Sequence, residues 1–116
     1  LPAVKLYLTE PGHMLWVLCK DSAPIGFMGL RGSAVESLFI SPKHTRNGGG
    51  RMLLAHARAR ADCELTVDVN EQNREALAFY FAADFEIVGH SSVDADGRPY
   101  PLVHMRESSR STIASA

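Results

Sequence analysis

Three consecutive glycines, Gly48, Gly49 and Gly50, stand between a strand-like run that stops at Ser41-Pro42 and an amphipathic run over residues 51–61. Pro42 cannot donate to a strand ladder and biases Ser41 away from helix, so a strand over residues 34–40 has to end there. Beyond the glycines, Leu53, Leu54, Ala57 and Ala61 fall on one helical face. Arg58 and Arg60 sit near the helix C-terminus, where the dipole favours cations. Residues 64–70 then alternate Leu65, Val67 and Val69 with Thr66, Asp68 and Asn70, which is a strand pattern. Two strands joined through a helix in one sheet run parallel, so this stretch commits the chain to a βαβ crossover.

The flanking sequence adds antiparallel pieces. Residues 14–19 form a continuous apolar run bounded by Pro11-Gly12 and by Asp21-Ser22-Ala23-Pro24, and residues 25–30 carry Gly26 and Gly29, where other groups approach the backbone closely. With residues 34–40 these make three successive antiparallel strands. Residues 1–9, with Leu1, Val4, Leu6 and Leu8, read as the last turns of a helix stopped by Glu10-Pro11-Gly12. Asn73 reads as an N-cap for a helix over residues 76–83, apolar on nearly every side and therefore expected to be largely buried. Residues 85–93 and 102–106 read as an antiparallel hairpin around the turn-rich residues 94–99. The fold class is α/β (α+β): a mixed, mostly antiparallel central sheet with one βαβ crossover. We expect a single domain over residues 1–106 and a flexible, Ser-rich tail over residues 107–116.

Composition narrows the function classes. The chain has 116 residues with 12 Lys and Arg against 13 Asp and Glu, a formal net charge of −1, so it lacks the basic excess of a nucleic-acid binder. No apolar run reaches membrane-spanning length, and no basic n-region leads into an apolar h-region. Cys19 and Cys63 have no CxxC partner and read as two buried reduced thiols, which points to the cytoplasm. His13, His44, His56, His90 and His104 show neither HxxxH nor HExxH spacing, so no metal is expected. His44, His90 and His104 are candidates for lining a substrate site.

Glycines at a helix start let main-chain N–H groups approach an anion, and the helix dipole adds to the attraction. The same glycines also suit a tight strand-to-helix turn, and three glycines alone do not separate the two readings. Gly50 is followed by Arg51-Met52 rather than Lys-Ser/Thr, so no Walker A loop is present. The third glycine of a dinucleotide fingerprint would fall at Leu53.

The segment Thr45-Arg46-Asn47-Gly48-Gly49-Gly50 resembles the acetyl-CoA motif of the GCN5-related N-acetyltransferases, Gln/Arg-x-x-Gly-x-Gly/Ala. Phe39-Ile40-Ser41-Pro42 before it, Leu53-Leu54 after it, Val69-Asn70-Glu71-Gln72-Asn73 and Ala78-Phe79-Tyr80 extend the resemblance over most of the chain. Residues 96–102 with His104-Met105 look like the closing hairpin of a bacterial branch. Thr45 replaces the family's Gln or Arg, with Arg46 next to it to supply a cation. The family's opening strand and two helices are largely absent.

The resemblance implies acetyl-CoA as co-substrate, its pantetheine arm along Phe39 and Ile40. The diphosphate would lie on Gly48, Gly49, Gly50 and Arg51, with Thr45, Arg46 and Asn47 beside it, and Asn73 would reach the arm. Tyr80 occupies the family's general-acid position; its other reading is a core aromatic. Glu36 is the candidate base, or a plain exposed strand carboxylate. No Ser or Cys nucleophile with a paired base is evident, which supports direct attack by a primary amine, small-molecule or peptide, in a ternary complex. The alternatives are a non-catalytic acyl-CoA-binding or protein-interaction module and an NTP-binding domain. An uncovered edge along residues 14–19 would favour pairing with a second copy.

Overall fold

Residues 3–10 form a strand, not a helix. β1 (Ala3–Glu10) pairs antiparallel with β2 (His13–Lys20), setting Val4 opposite Leu18, Leu6 opposite Trp16 and Leu8 opposite Met14. Val4 and Leu6 are half-buried while Ala3, Lys5 and Tyr7 are exposed, so the two-residue period prevailed over the helical spacing of Leu1, Val4 and Leu8. Gly12, at φ +82, makes the intervening turn. The expected open edge along residues 14–19 is therefore occupied by β1.

The computed structural model describes residues 3–45 and 47–108. The chain divides into two compact units, Leu1–Cys63 and Glu64–Ala116. In the first, β1 and β2 are followed by β3 (Ala23–Arg31) and β4 (Ala34–Ile40), each antiparallel to its predecessor. The β2–β3 turn places Asp21 and Ser22 at φ 53 and 70, the left-handed pair that a two-residue hairpin loop requires. The helix α1 (Gly49–Arg60) buries Leu53, Leu54 and Ala57, and the same unit buries Trp16, Leu18, Met28 and Leu30. Both cysteines are free; Cys19 is buried as expected, but Cys63 is exposed, its thiol 3.2 Å from the Ser33 hydroxyl.

The second unit contains β5 (Thr66–Asn70), α2 (Arg74–Ala82), β6 (Phe85–Ser91) and β7 (Leu102–Glu107), with β7 antiparallel to both β5 and β6. Its apolar interior is Leu65, Val67, Val69, Tyr80, Phe85, Val103 and Met105. The expectation of a largely buried α2 does not hold: only Tyr80 of this helix is buried, and Phe81 is half exposed. The Tyr80 ring packs edge-on to Phe85, with Ala76, Leu77 and Phe79 half-buried beside it, while Ala78, Phe81 and Ala82 are exposed.

β6 ends at Ser91 rather than at residue 93, because Asp94 gathers the following turn: its carboxylate accepts from the N–H groups of Asp96 and Arg98, each at 2.9 Å. β7 continues through Glu107, a residue assigned from sequence to the tail. Glu107 is buried, and its carboxylate accepts from Leu65 N–H at 2.9 Å. Residues 109–116 of the expected tail lie outside the described residues. Among the described residues, no helix is long and apolar enough to cross a membrane.

Candidate functional site

The glycine stretch has the geometry of an open helix start. After β4, Ser41 N–H donates to Ile25 O at 2.7 Å, and Pro42–His44 makes one 3-10 turn in which the Thr45 hydroxyl donates back to Pro42 O at 3.3 Å. Gly48 is the N-cap of α1 at φ 83, ψ 3, and no side chain caps the helix. The intrahelical ladder begins with Met52 N–H on Gly48 O at 3.0 Å, so the first-turn N–H groups of Gly49, Gly50 and Arg51 precede it. The first turn holds no acidic residue. Such a terminus attracts anions through its donors and its dipole.

Each glycine has its own reason. A Cβ at Gly48 would meet nothing within 4 Å, so glycine is required there by its left-handed backbone. A Cβ at Gly49 would lie 2.6 Å from Leu18 Cδ2, so that glycine lets the helix start sit against β2. Gly50 is buried. Among the described residues, His44 Nδ1, just ahead of the loop, is a buried polar atom with no partner. Arg46 lies outside the described residues.

Phe39 and Ile40 close β4. Phe39 is half exposed and stacks on Phe27 with ring centroids 5.7 Å apart. Opposite them, a Cβ at Gly26 would come within 2.8 Å of Phe39 O, so the close approach expected at that glycine is real. The β3–β4 ladder pairs Leu30 with Val35 and Gly29 with Ser37, leaving Glu36 as an extra residue in a bulge. Simple alternation therefore breaks at Glu36, and the expected shared face with Leu38 and Ile40 does not follow. Its carboxylate accepts from Arg31 Nε at 2.8 Å, and that hydrogen bond holds its pKa below the usual carboxylate range. An exposed, ion-paired carboxylate so disposed is a poor proton acceptor.

In the second unit, Asn73 caps α2 through its side chain, which accepts from Ala76 N–H at 3.1 Å. Tyr80 sits between Phe79 and Phe85, each ring centroid 5.1 Å away and edge-on. Burial pushes its phenol up to about 12, so it stays protonated at neutral pH. The packing is that of a core aromatic, and a phenol raised in this way is a weaker acid than a free one.

The structure also assembles a set that sequence reasoning did not join. His104 Nδ1 lies 2.6 Å from Asp68 Oδ1, and His104 Nε2 lies 2.6 Å from Ser91 Oγ. Elsewhere on β6, His90 Nε2 is 2.8 Å from Glu71 Oε1. His104 was a candidate by its place on the hairpin and Asp68 belonged to the polar face of its strand, but nothing in the spacing pointed to Ser91.

An α/β chain whose glycine-opened helix follows a strand after one 3-10 turn, without a Walker A loop, has the outline of an acyl-transferring domain rather than of a P-loop protein. Residues 3–107 match the family model described as Acetyltransferase (GNAT) domain. The chain belongs to that family. It is 44% identical over 96 residues to the peptidyl-lysine N-acetyltransferase YjaB of Escherichia coli K12, an alignment covering 82% of this chain and 65% of that protein. The chain thus spans just under two thirds of that relative's length. The solution structure of apo YjaB superimposes with a TM-score of 0.73 over 79% of this chain and 63% of that one. A GNAT-family acetyltransferase from Elizabethkingia anophelis with acetyl-CoA bound, 11% identical, reaches 0.75 over 91% of this chain and 97% of that one. These likenesses establish the mixed α/β sheet expected from the element order and the acyltransferase fold that the motif resemblance implied.

Proposed function

We propose that the chain is an N-acetyltransferase that moves an acetyl group from acetyl-CoA to a primary amine, and that the amine is a lysine side chain of a peptide or protein. The observation that carries the first part is the uncapped start of α1 behind Gly48, together with membership of the family. The lysine reading rests on the 44% identity to a peptidyl-lysine N-acetyltransferase. In this reading the N–H groups of Gly49, Gly50 and Arg51 take the diphosphate, with Thr45, Arg46, Asn47 and Gly48 around it. The pantetheine arm runs along Phe39 and Ile40 and is met by Asn73.

Direct attack by the amine yields a tetrahedral intermediate whose oxyanion a main-chain N–H stabilises, a contribution typically worth about 3 kcal/mol. Collapse expels a thiolate, and Tyr80 is the group proposed to protonate it. Glu36, paired with Arg31, is the weaker part of the proposal, and a water chain is the better proton acceptor for the amine. The reaction belongs to the cytoplasm, where acetyl-CoA is made available. A homodimer is part of the same proposal, although the edge expected to carry it, residues 14–19, is covered by β1.

Thr45, standing where the family has Gln or Arg, motivates a second reading, an acyl-CoA binder without turnover. Release of free CoA separates them. With acetyl-CoA and a panel of lysine peptides, N-terminal peptides, polyamines and small amines, the enzyme reading predicts thiol release that is greatest for lysine peptides. Tyr80→Phe should slow that release about a hundredfold. CoA uptake without thiol release for any amine leaves only the binding module.

A further inference from the structure

The geometry points to Ser91 as a second acyl-accepting centre: an oxygen nucleophile whose proton is taken by His104, itself oriented by Asp68. Direct transfer to an amine does not use this set, so the inference goes beyond the activity proposed above. It reopens the covalent route that the sequence set aside for want of a Ser or Cys with a paired base.

Three features of the second unit build the arrangement. Asp68 on β5 and His104 on β7 are directly opposed in the ladder, which brings their side chains to the same face. On the other side of β7, the β6 register pairs Ile87 with Met105 but Gly89 with His104, so Val88 is an extra residue in a bulge. That extra residue changes which face of the sheet the rest of β6 presents. It carries Gly89 and Ser91 from the face of buried Met105 to the face of His104. Gly89 then leaves the imidazole room to lie over the strand, since a Cβ there would come within 3.3 Å of His104 Cδ2.

The atoms that meet are the ones this chemistry needs. A carboxylate on Nδ1 favours the tautomer with Nδ1 protonated, leaving the Nε2 lone pair directed at a hydroxyl 2.6 Å away. A hydrogen-bonded Ser and His pair with a third group orienting the base is the general signature of an activated nucleophile. Ser91 and His104 are part-buried, while the Asp68 side chain is 60% exposed. Water screens Asp68, so its contribution is smaller than that of the imidazole.

The substrate class is an acyl thioester or an activated ester. Ser91 Oγ attacks the carbonyl carbon and forms the C–O bond while its proton passes to His104 Nε2. Collapse of the tetrahedral intermediate breaks the bond to the leaving thiolate or phenolate, which receives that proton from Nε2. Water then attacks the acyl-serine, His104 takes a proton from the water and returns it to Oγ, and the carboxylic acid leaves. The sum is donor plus water giving acid plus thiol or phenol, with no change of oxidation state. Asp68 is a positioning residue and Ser91 the nucleophile.

The test uses p-nitrophenyl acetate on the full chain without CoA or amine, so its outcome is independent of coenzyme binding. The expected result is a burst of nitrophenolate approaching one equivalent per chain, with an acetyl increment on the proteolytic peptide that carries Ser91. Ser91→Ala should lose both, Ser91→Cys should keep the acyl transfer, and His104→Gln should slow it about a hundredfold or more. Asp68→Asn should slow it less and shift the imidazole nitrogen resonances of His104 toward the other tautomer, which a purely structural aspartate would not do. An undiminished burst in Ser91→Ala, or acetyl mapped only to lysines or tyrosines, overturns the proposal.

Discussion

Tyr80 is where a single residue has most to say. Its phenol ordinarily loses its proton near 10.0 and in the fold does so at about 12 because it is buried. A pKa raised by folding means the neutral form is the one the native state prefers, so the stabilisation is complete below pH 10 and disappears as pH climbs through 12. A shift of that size corresponds to about 3 kcal/mol. Urea unfolding of the parent chain should therefore lose that much between neutral and strongly alkaline pH, whereas Tyr80→Phe should lose clearly less over the same range. An identical alkaline decline in both would show that the ring is not shielded. Much of this residue was legible: an aromatic on an apolar helix reads as a core ring, and the ring is buried edge-on to Phe85. Ser91 was not, because a serine in a strand looks the same whether or not an imidazole two strand positions away has been turned toward it.

At the scale of elements, the glycine-opened helix was the most readable feature, since proline, glycine and apolar spacing all act locally. The expected helix over residues 51–61 became Gly49–Arg60, differing only at its ends. The local signals misled at β1, where Leu1, Val4 and Leu8 satisfy a helical spacing. Only pairing with β2, a tertiary fact, decides between the two periods. Gly48 gives this scale its prediction. At φ 83 a substituted side chain is strained, so Gly48→Val should cost about 1–2 kcal/mol in thermal or urea unfolding. Gly48→Asn should cost much less, because asparagine tolerates the left-handed region. Equal losses for the two variants would mean that something other than backbone conformation selects glycine there.

For the molecule as a whole, the relevant fact is that binding and stability are linked. A coenzyme that engages only the native chain stabilises it by about 2.7 kcal/mol at a hundred times its dissociation constant. In a chain of 116 residues that amounts to a rise of several degrees in Tm. Differential scanning fluorimetry with CoA should register this shift, and ATP at equal concentration should not. A matching rise with ATP would favour generic anion binding at α1 over the coenzyme reading. The fold class was legible because it depends on the order of elements, and order survives errors at any one of them. The division into two compact units, Leu1–Cys63 and Glu64–Ala116, was not, because it depends on which contacts the folded chain makes.

The surplus residue at Val88 has a consequence of its own. Whether serine, histidine and aspartate meet on this hairpin is decided by parity, by an odd or even number of residues between two turns, and not by which residues they are. Excising one codon at that position would keep every reactive group in the chain and still part them, so a search by reactive groups alone would judge the two chains alike.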